Sequence, residues 1–386
     1  MRLRERLKTA RTNNSRFGSW WWTVDRPLFF ALVLLMCAGA ILVTAASPPV
    51  AKRLDYDPFY FVVRQQGFLF LSFLVLVGVS VLEVKQIKRL AMLGMLGSLG
   101  MMAILPFFGI ETKGAIRWMS LAGISIQPSE FLKPCFAVII GWMFAERQRT
   151  EGFPGFKIGI AIYALSISLL IIQPDFGMSV VVSGMFAIQL FLAGVPILWV
   201  VGMGIVGIVG AFGAYFALGH VRDRVNHFLD PSSGDNYQVS KSLEAFSSGG
   251  FFGRGPGEGV VKWSIPDSHT DFIFSVAAEE FGVILALLLV ALFAFIVLRG
   301  YYKAFRETDL FTMLATAGLI SQFALQALVN MGVAVNLLPA KGMTLPFLSY
   351  GGSSLIAVAI GMGMMLGLTR RKFGNMPRHL MQGMYA

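Results

Sequence analysis

Charged side chains are scarce in this chain, at 14% of 386 residues, while hydrophobic residues make up 56% and mean hydropathy is +0.69. An ordinary soluble domain carries about 25% charged residues, so that class is excluded. Cysteine is nearly absent. Cys37 and Cys135 both sit inside apolar runs, which excludes a disulfide framework and a cysteine-based zinc site. The four histidines, His220, His227, His269 and His379, lack ligand spacing, so no structural zinc site is expected. The sequence shows no low-complexity tract, no soluble second domain and no clear inverted repeat.

Long apolar runs are what the chain has in quantity. They lie near 27–46, 61–82, 90–109, 128–145, 157–172, 176–193, 196–218, 271–298, 310–334 and 351–369. Crossing a bilayer takes roughly 20 such residues. The reading is an all-α integral membrane protein with ten transmembrane helices and one large extracytoplasmic loop, 219–270. A cytoplasmic basic segment, 1–26, precedes the ten-helix domain, 27–369, and a cytoplasmic tail, 370–386, follows it. The first run is longer than a signal-peptide core and is taken as a retained anchor. Trp20, Trp21 and Trp22 suit the interface before it.

The net charge of +11 raises nucleic acid as a partner, but its distribution excludes one. The two ends and alternate loops hold 20 of the 32 Lys/Arg and 7 of the 21 Asp/Glu. That asymmetry marks the cytoplasmic face of the membrane, with both termini inside. One motif misleads. Gly202-Met203-Gly204-Ile205-Val206-Gly207 fits a dinucleotide fingerprint but has no strand before it. Small residues at this spacing inside a span are expected to let two helices pack closely.

The polar constellations fall on the outer side. Gly249–Gly282 begins as a glycine-rich loop, turns at Pro266 and enters an apolar run at Thr270-Asp271-Phe272, with Glu279 and Glu280 inside it. Carboxylates at such depth are costly and mark function by default. On a continuous helix Glu279 would lie about 12 Å deeper than Asp271. Lys113 and Arg117 stand four apart beside Trp118. In Gln127-Pro128-Ser129-Glu130-Phe131-Leu132-Lys133, the proline suits a first helical turn, and Glu130 with Lys133 can form either a structural ion pair or a ligand contact. Asp175, in Gln173-Pro174-Asp175-Phe176-Gly177, reads as a turn and cap. Arg224, Lys262, His269, Lys341 and Ser349 complete the outer set. Converging Lys and Arg at a membrane-edge cleft suit a phosphate-bearing ligand. The alternative is that these cations only balance nearby acids.

KGAIRW, QPSEFLK, QPDFG, DRVNHFLDP, IPDSHTDFIFSVAAEEFG and LPAKGMTLPFLSYGGSS, in this order, resemble the SEDS family (shape, elongation, division and sporulation) across roughly 27–369. LPAKG and the basic N-terminal extension are most like its division-specific member; the elongation member usually has threonine where Lys341 stands. The resemblance implies a peptidoglycan glycosyltransferase that polymerises lipid II outside the inner membrane, at the septum. It implies Asp271 as the catalytic residue. It also implies substrate contacts among Lys113, Arg117, Trp118, Glu130, Lys133, Arg224, Lys262, His269, Thr270, Glu279, Glu280, Lys341 and Ser349. A class B penicillin-binding transpeptidase and other division-complex membrane proteins are the implied partners.

The chemistry can be argued without the resemblance. A polyprenyl pyrophosphate already leaves well, so its departure needs positive charge, from Lys, Arg or a divalent cation such as Mg or Mn. No cofactor is otherwise indicated. The attacking hydroxyl needs one base, and a single carboxylate suffices for inversion. Asp271 fits that role, and Lys113, Arg117 and Lys262, on an outer wet surface, would hold the pyrophosphate. A lipid II flippase would use Glu130, Lys133, Glu279 and Glu280 as a transport path. A non-catalytic division scaffold is the third reading.

Overall fold

The computed structural model describes residues 16–112, 115–121, 124–217, 219, 222, 226, 237–339 and 342–370. Each of the ten apolar runs is helical: α2 (Arg26–Arg53), α3 (Tyr60–Ser80), α4 (Val84–Phe108), α5 (Pro128–Arg149), α6 (Gly155–Ile172), α7 (Phe176–Leu192), α8 (Ile197–Ala217), α10 (Ile273–Phe305), α11 (Leu310–Ala334) and α12 (Gly352–Leu368). A short α1 (Arg16–Thr23) precedes them, and α9 (Tyr237–Gly249) lies within the segment expected as the large loop. Among the described residues six helices are long and apolar enough to cross a membrane: α2, α3, α4, α6, α10 and α11. The protein is a multi-pass membrane protein.

The helix boundaries follow local chemistry. Asp25 caps α2 through the Leu28 amide, Asp175 caps α7 through Met178, and Asp309 caps α11 through Thr312. Pro128 occupies the first turn of α5, as expected. The most hydrophobic stretch of α11 is 72% buried, against 22% for α3, so α11 is the central post and α3 faces lipid. Helix α11 packs on α5, α7 and α10.

The structure departs from the all-α expectation between α4 and α5. There β1 (Ile110–Thr112), β2 (Ala115–Leu121) and β3 (Ile124–Ile126) form an antiparallel sheet in the order β1-β2-β3. Trp118 faces Ile110, and Met119 faces Ile126. Isoleucines and an aromatic favour a pleated surface where the chain leaves the helical bundle.

A second departure concerns α10, which breaks at Gly282 (φ 81°, ψ 174°). The break leaves the Glu279 and Glu280 carbonyls to accept from the amides of Arg254 (3.0 Å) and Gly255 (2.9 Å), and Val283 donates to Gly250 O (2.9 Å). Only glycine fits: a Cβ on Gly282 would stand 2.2 Å from Phe251 O, and the left-handed φ disfavours any other residue. The glycine-rich loop is thereby stitched into a helix interruption. The stripe Gly202, Gly204 and Gly207 on α8 is corrected likewise: a Cβ at each meets open space, so no helix among the described residues packs there.

Candidate active site

Asp271 lies on a connection, 265–272, that is held from outside. Thr270 and Phe272 amides both donate to Asp267 O, folding it into a turn. Three further bonds come from α11 and from the segment before α12. The Tyr350 amide donates to His269 O (2.8 Å), the Ser349 hydroxyl to Thr270 O (2.5 Å), and the Asn330 amide group to Asp271 O (2.8 Å). Asn330 also donates to Met343 O (2.6 Å), and Ser349 Oγ accepts from the Leu345 amide (2.8 Å). Three successive carbonyls, 269 to 271, are thus each fixed by another part of the chain. Phe272 is buried behind them, and the Asp271 carboxylate lies against Gly342, where a Cβ would come within 3.3 Å of Oδ2.

Asp271 opens on a cavity of about 600 Å³. Of the expected site residues, Arg117, Trp118, Glu130, Thr270 and Asp271 line it together. The walls also carry Arg64, Gln127, Asp175 and Asp267, which the sequence reading did not assign to the site. A signal for Arg64 was available: it is the one cation in the apolar run 61–82. Arg117 is anchored, donating from Nε to Gln173 O (3.1 Å) and from Nη2 to Pro174 O, with Asp175 4.0 Å away. Burial raises the Asp175 pKa, an effect that Arg117 only partly opposes.

Other expected residues support the cavity rather than line it. Lys133 is buried, 2.9 Å from Glu130 Oε2 and 2.7 Å from Gln326 Oε1, so the i, i+3 ion pair forms. His269 is enclosed between Phe61 (4.8 Å) and Tyr350 (5.2 Å), and burial pushes its pKa down to about 4. The imidazole is therefore neutral near pH 7. Ser349 acts through its clamp on Thr270.

Lys262, Glu279 and Glu280 form a separate knot. Glu279 accepts from the amides of Val260 (2.7 Å), Val261 (2.6 Å) and Lys262 (2.9 Å). Glu280 accepts from the Gly257 amide (3.1 Å) and pairs with the Lys262 ammonium. That ammonium also donates to Ala45 O (3.0 Å) and Gly257 O (3.3 Å). Lys262 is only 3% exposed, which corrects the expectation of a wet-surface cation. Lys113, Arg224 and Lys341 lie outside the described residues. Among the described residues no cluster of three His, Cys, Asp or Glu side chains could hold a metal ion. Asp267 and Asp271 share the cavity wall and could contribute two oxygens to one.

Residues 26–373 match the family model FTSW_RODA_SPOVE, described as a cell cycle protein. The chain is 46% identical over 366 residues to the probable peptidoglycan glycosyltransferase FtsW of Caulobacter vibrioides, covering 95% of this chain and 94% of that one. It is 34% identical over 353 residues to the protein of the same name from Legionella pneumophila, covering 89% and 90%. Among solved structures, a chain of a peptidoglycan synthase complex superposes with a TM-score of 0.76 at 27% identity, covering 91% of this chain and 99% of that one. The rod shape determining protein RodA of Thermus thermophilus gives 0.67 at 26% identity, covering 90% and 97%.

Proposed function

This chain belongs to the FtsW/RodA/SpoVE family, and from that premise we propose that it is a peptidoglycan glycosyltransferase that polymerises lipid II. It works at the outer face of the bacterial inner membrane, during septal wall synthesis, with both termini cytoplasmic and all ten apolar helices spanning the bilayer. Its partners are a class B penicillin-binding transpeptidase and other membrane proteins of the division complex. Lys113, Arg224 and Lys341 remain proposed substrate contacts alongside the residues that line the cavity.

The observation that carries this reading is a carboxylate, Asp271, fixed on the wall of a cavity that also holds two guanidinium groups. Pyrophosphate departs best where fixed positive charge meets the developing negative charge. The attacking sugar hydroxyl transfers its proton to Asp271 as the new glycosidic bond forms on the face opposite the departing pyrophosphate. Fixing the backbone at Asp271, through the Asn330 side chain on its carbonyl, keeps the base in place against the acceptor. Relatives named as probable peptidoglycan glycosyltransferases support glycosyl transfer as the activity.

The transporter reading is weakened by how the intramembrane acids are satisfied. Glu279 accepts three amides, Glu280 faces Lys262, and Glu130 faces Lys133. Groups neutralised internally offer no open polar path to a headgroup.

Asp271→Asn is the direct test. The variant keeps shape and hydrogen bonding but loses the basic oxygen, a change that typically costs on the order of a hundredfold to ten-thousandfold in rate. It is expected to insert, to bind its transpeptidase and lipid II, and to make almost no glycan. Chain length on a gel reads the outcome, and full-length chains from the variant would remove Asp271 from the mechanism.

A further inference from the structure

Resting on that reading, a narrower question is which cation meets the pyrophosphate. Most described cations at the outer side are already engaged. Lys262 is buried against Glu280, and Lys133 against Glu130. Arg53 donates to Pro266 O (3.0 Å) and Ile265 O (3.2 Å), and Arg254 to Ser248 O. Two cations line the cavity among the described residues, Arg64 and Arg117. Arg117 spends its Nε and Nη2 donors on the carbonyls of the Gln173-Pro174 turn and faces the Asp175 carboxylate.

Arg64 differs. It projects from the first turns of α3, donates from Nη1 to the Tyr60 hydroxyl (2.7 Å) and lies 5.2 Å from the centre of that ring. Tyr60 is itself stacked on Tyr56 (4.5 Å between ring centres), so the aromatic support is rigid. The guanidinium also acts on the Tyr350 phenol, opposing the rise that burial imposes on that group. Among the described residues no carboxylate forms an ion pair with Arg64. The neighbouring Gln65 donates to Ser349 O (3.2 Å), the residue whose hydroxyl holds Thr270. Arg64 is thereby referenced to the same frame as Asp271. A cation at the membrane edge, held by neutral hydroxyls and facing a cavity, carries charge that an anionic ligand can use fully.

We propose that Arg64, steadied by Tyr60 and Tyr350, is a substrate-positioning residue that takes the pyrophosphate of the polyprenyl-linked donor. The planar guanidinium fits two phosphate oxygens at once, which a lysine in its place would not. Arg117 then serves chiefly to hold the Gln173-Pro174 turn and adds its charge at longer range.

The test is equilibrium binding of undecaprenyl pyrophosphate to the purified full-length protein in detergent. Undecaprenyl monophosphate and phosphatidylglycerol serve as comparison ligands, alongside the lipid II polymerisation kinetics of the same preparations. Arg64→Ala is expected to weaken undecaprenyl pyrophosphate at least about tenfold, with a smaller loss for the monophosphate and none for phosphatidylglycerol. KM for lipid II should rise by a similar factor while kcat changes less, and Arg64→Lys should recover part of the affinity. Wild-type affinity and KM in a folded Arg64→Ala would overturn the proposal, as would an equal loss for all three lipids. If the alanine variant does not fold, Arg64→Gln carries the same comparison, because it keeps length and hydrogen bonding but removes the charge. A wild-type protein that binds through Arg64 yet forms no glycan would overturn the polymerase reading and leave this site standing. Normal polymerisation with an indifferent Arg64 would do the reverse.

Discussion

Lys262 shows how much one side chain's meaning depends on its surroundings. As a cation just before the Thr270-Asp271-Phe272 motif it suits a phosphate ligand, but its ammonium is enclosed with Glu280 and two backbone carbonyls. Removing one partner of a buried pair leaves the other charged and stranded, which costs roughly 3–5 kcal/mol. Lys262→Ala is therefore expected to lower the melting temperature in detergent sharply. Donor affinity, measured at a temperature where the variant is folded, should stay near wild type. Pairing it with Glu280→Gln should restore much of the stability, since no uncompensated charge then remains. An unshifted melting temperature with weakened donor binding would return Lys262 to the cavity. Asn330 and Ser349 belong to the same scale: each uses a short polar side chain to fix a carbonyl, Asn330 that of Asp271 and Ser349 that of Thr270.

Among the elements, the broken helix α10 does most to shape the site's foundation. Its interruption at Gly282 turns two helix carbonyls toward the glycine-rich loop, and that loop supplies the amides that Glu279 and Glu280 accept. A continuous helix would bury the same two carboxylates with nothing to receive them. Gly282→Ala meets both a left-handed φ and a backbone oxygen 2.2 Å from the new Cβ. Forcing a side chain there is expected to cost on the order of 1–3 kcal/mol. The loop 250–258 should then exchange its amide hydrogens faster, while α11 remains protected. Unchanged exchange across the loop would mean that the break does not hold it.

At the scale of the whole molecule, charge asymmetry and the ten apolar helices imply one orientation in the membrane. In a cysteine-free background, a membrane-impermeant thiol reagent is expected to label Val260→Cys on intact cells. Gln148→Cys and Thr308→Cys should react only after permeabilisation. All three positions are exposed, so reactivity reports sidedness rather than burial. The reverse pattern would place the cavity on the cytoplasmic side and remove the outer-face polymerase. The end of the bundle where α2 begins has its own lock, since Asp25 pairs with Arg299 (2.7 Å) and Lys303 (2.9 Å) and so ties the start of α2 to the end of α10. Burial would raise the Asp25 pKa, but the two cations outweigh it and hold the carboxyl below its ordinary value.

Hydropathy is a property of consecutive residues, so the ten helices could be read directly from the ten apolar runs. Caps are equally local, and Asp175 and Pro128 sit where their residue types indicated. Asp271 stood out because a carboxylate at the edge of an apolar run is costly enough to need a reason. Partnership between distant residues is a different matter. Gln65 and Ser349 lie 284 positions apart, and Lys262 and Ala45 lie 217 apart. No spacing rule connects such pairs; only the packing of α3 on α12, and of α2 on α10 and the segment 261–264, brings them within hydrogen-bond reach. Tertiary structure therefore decided which polar residues face the cavity and which neutralise one another behind it. Burying a charge is tolerable only where a partner waits, and the fold alone determines where the partners are.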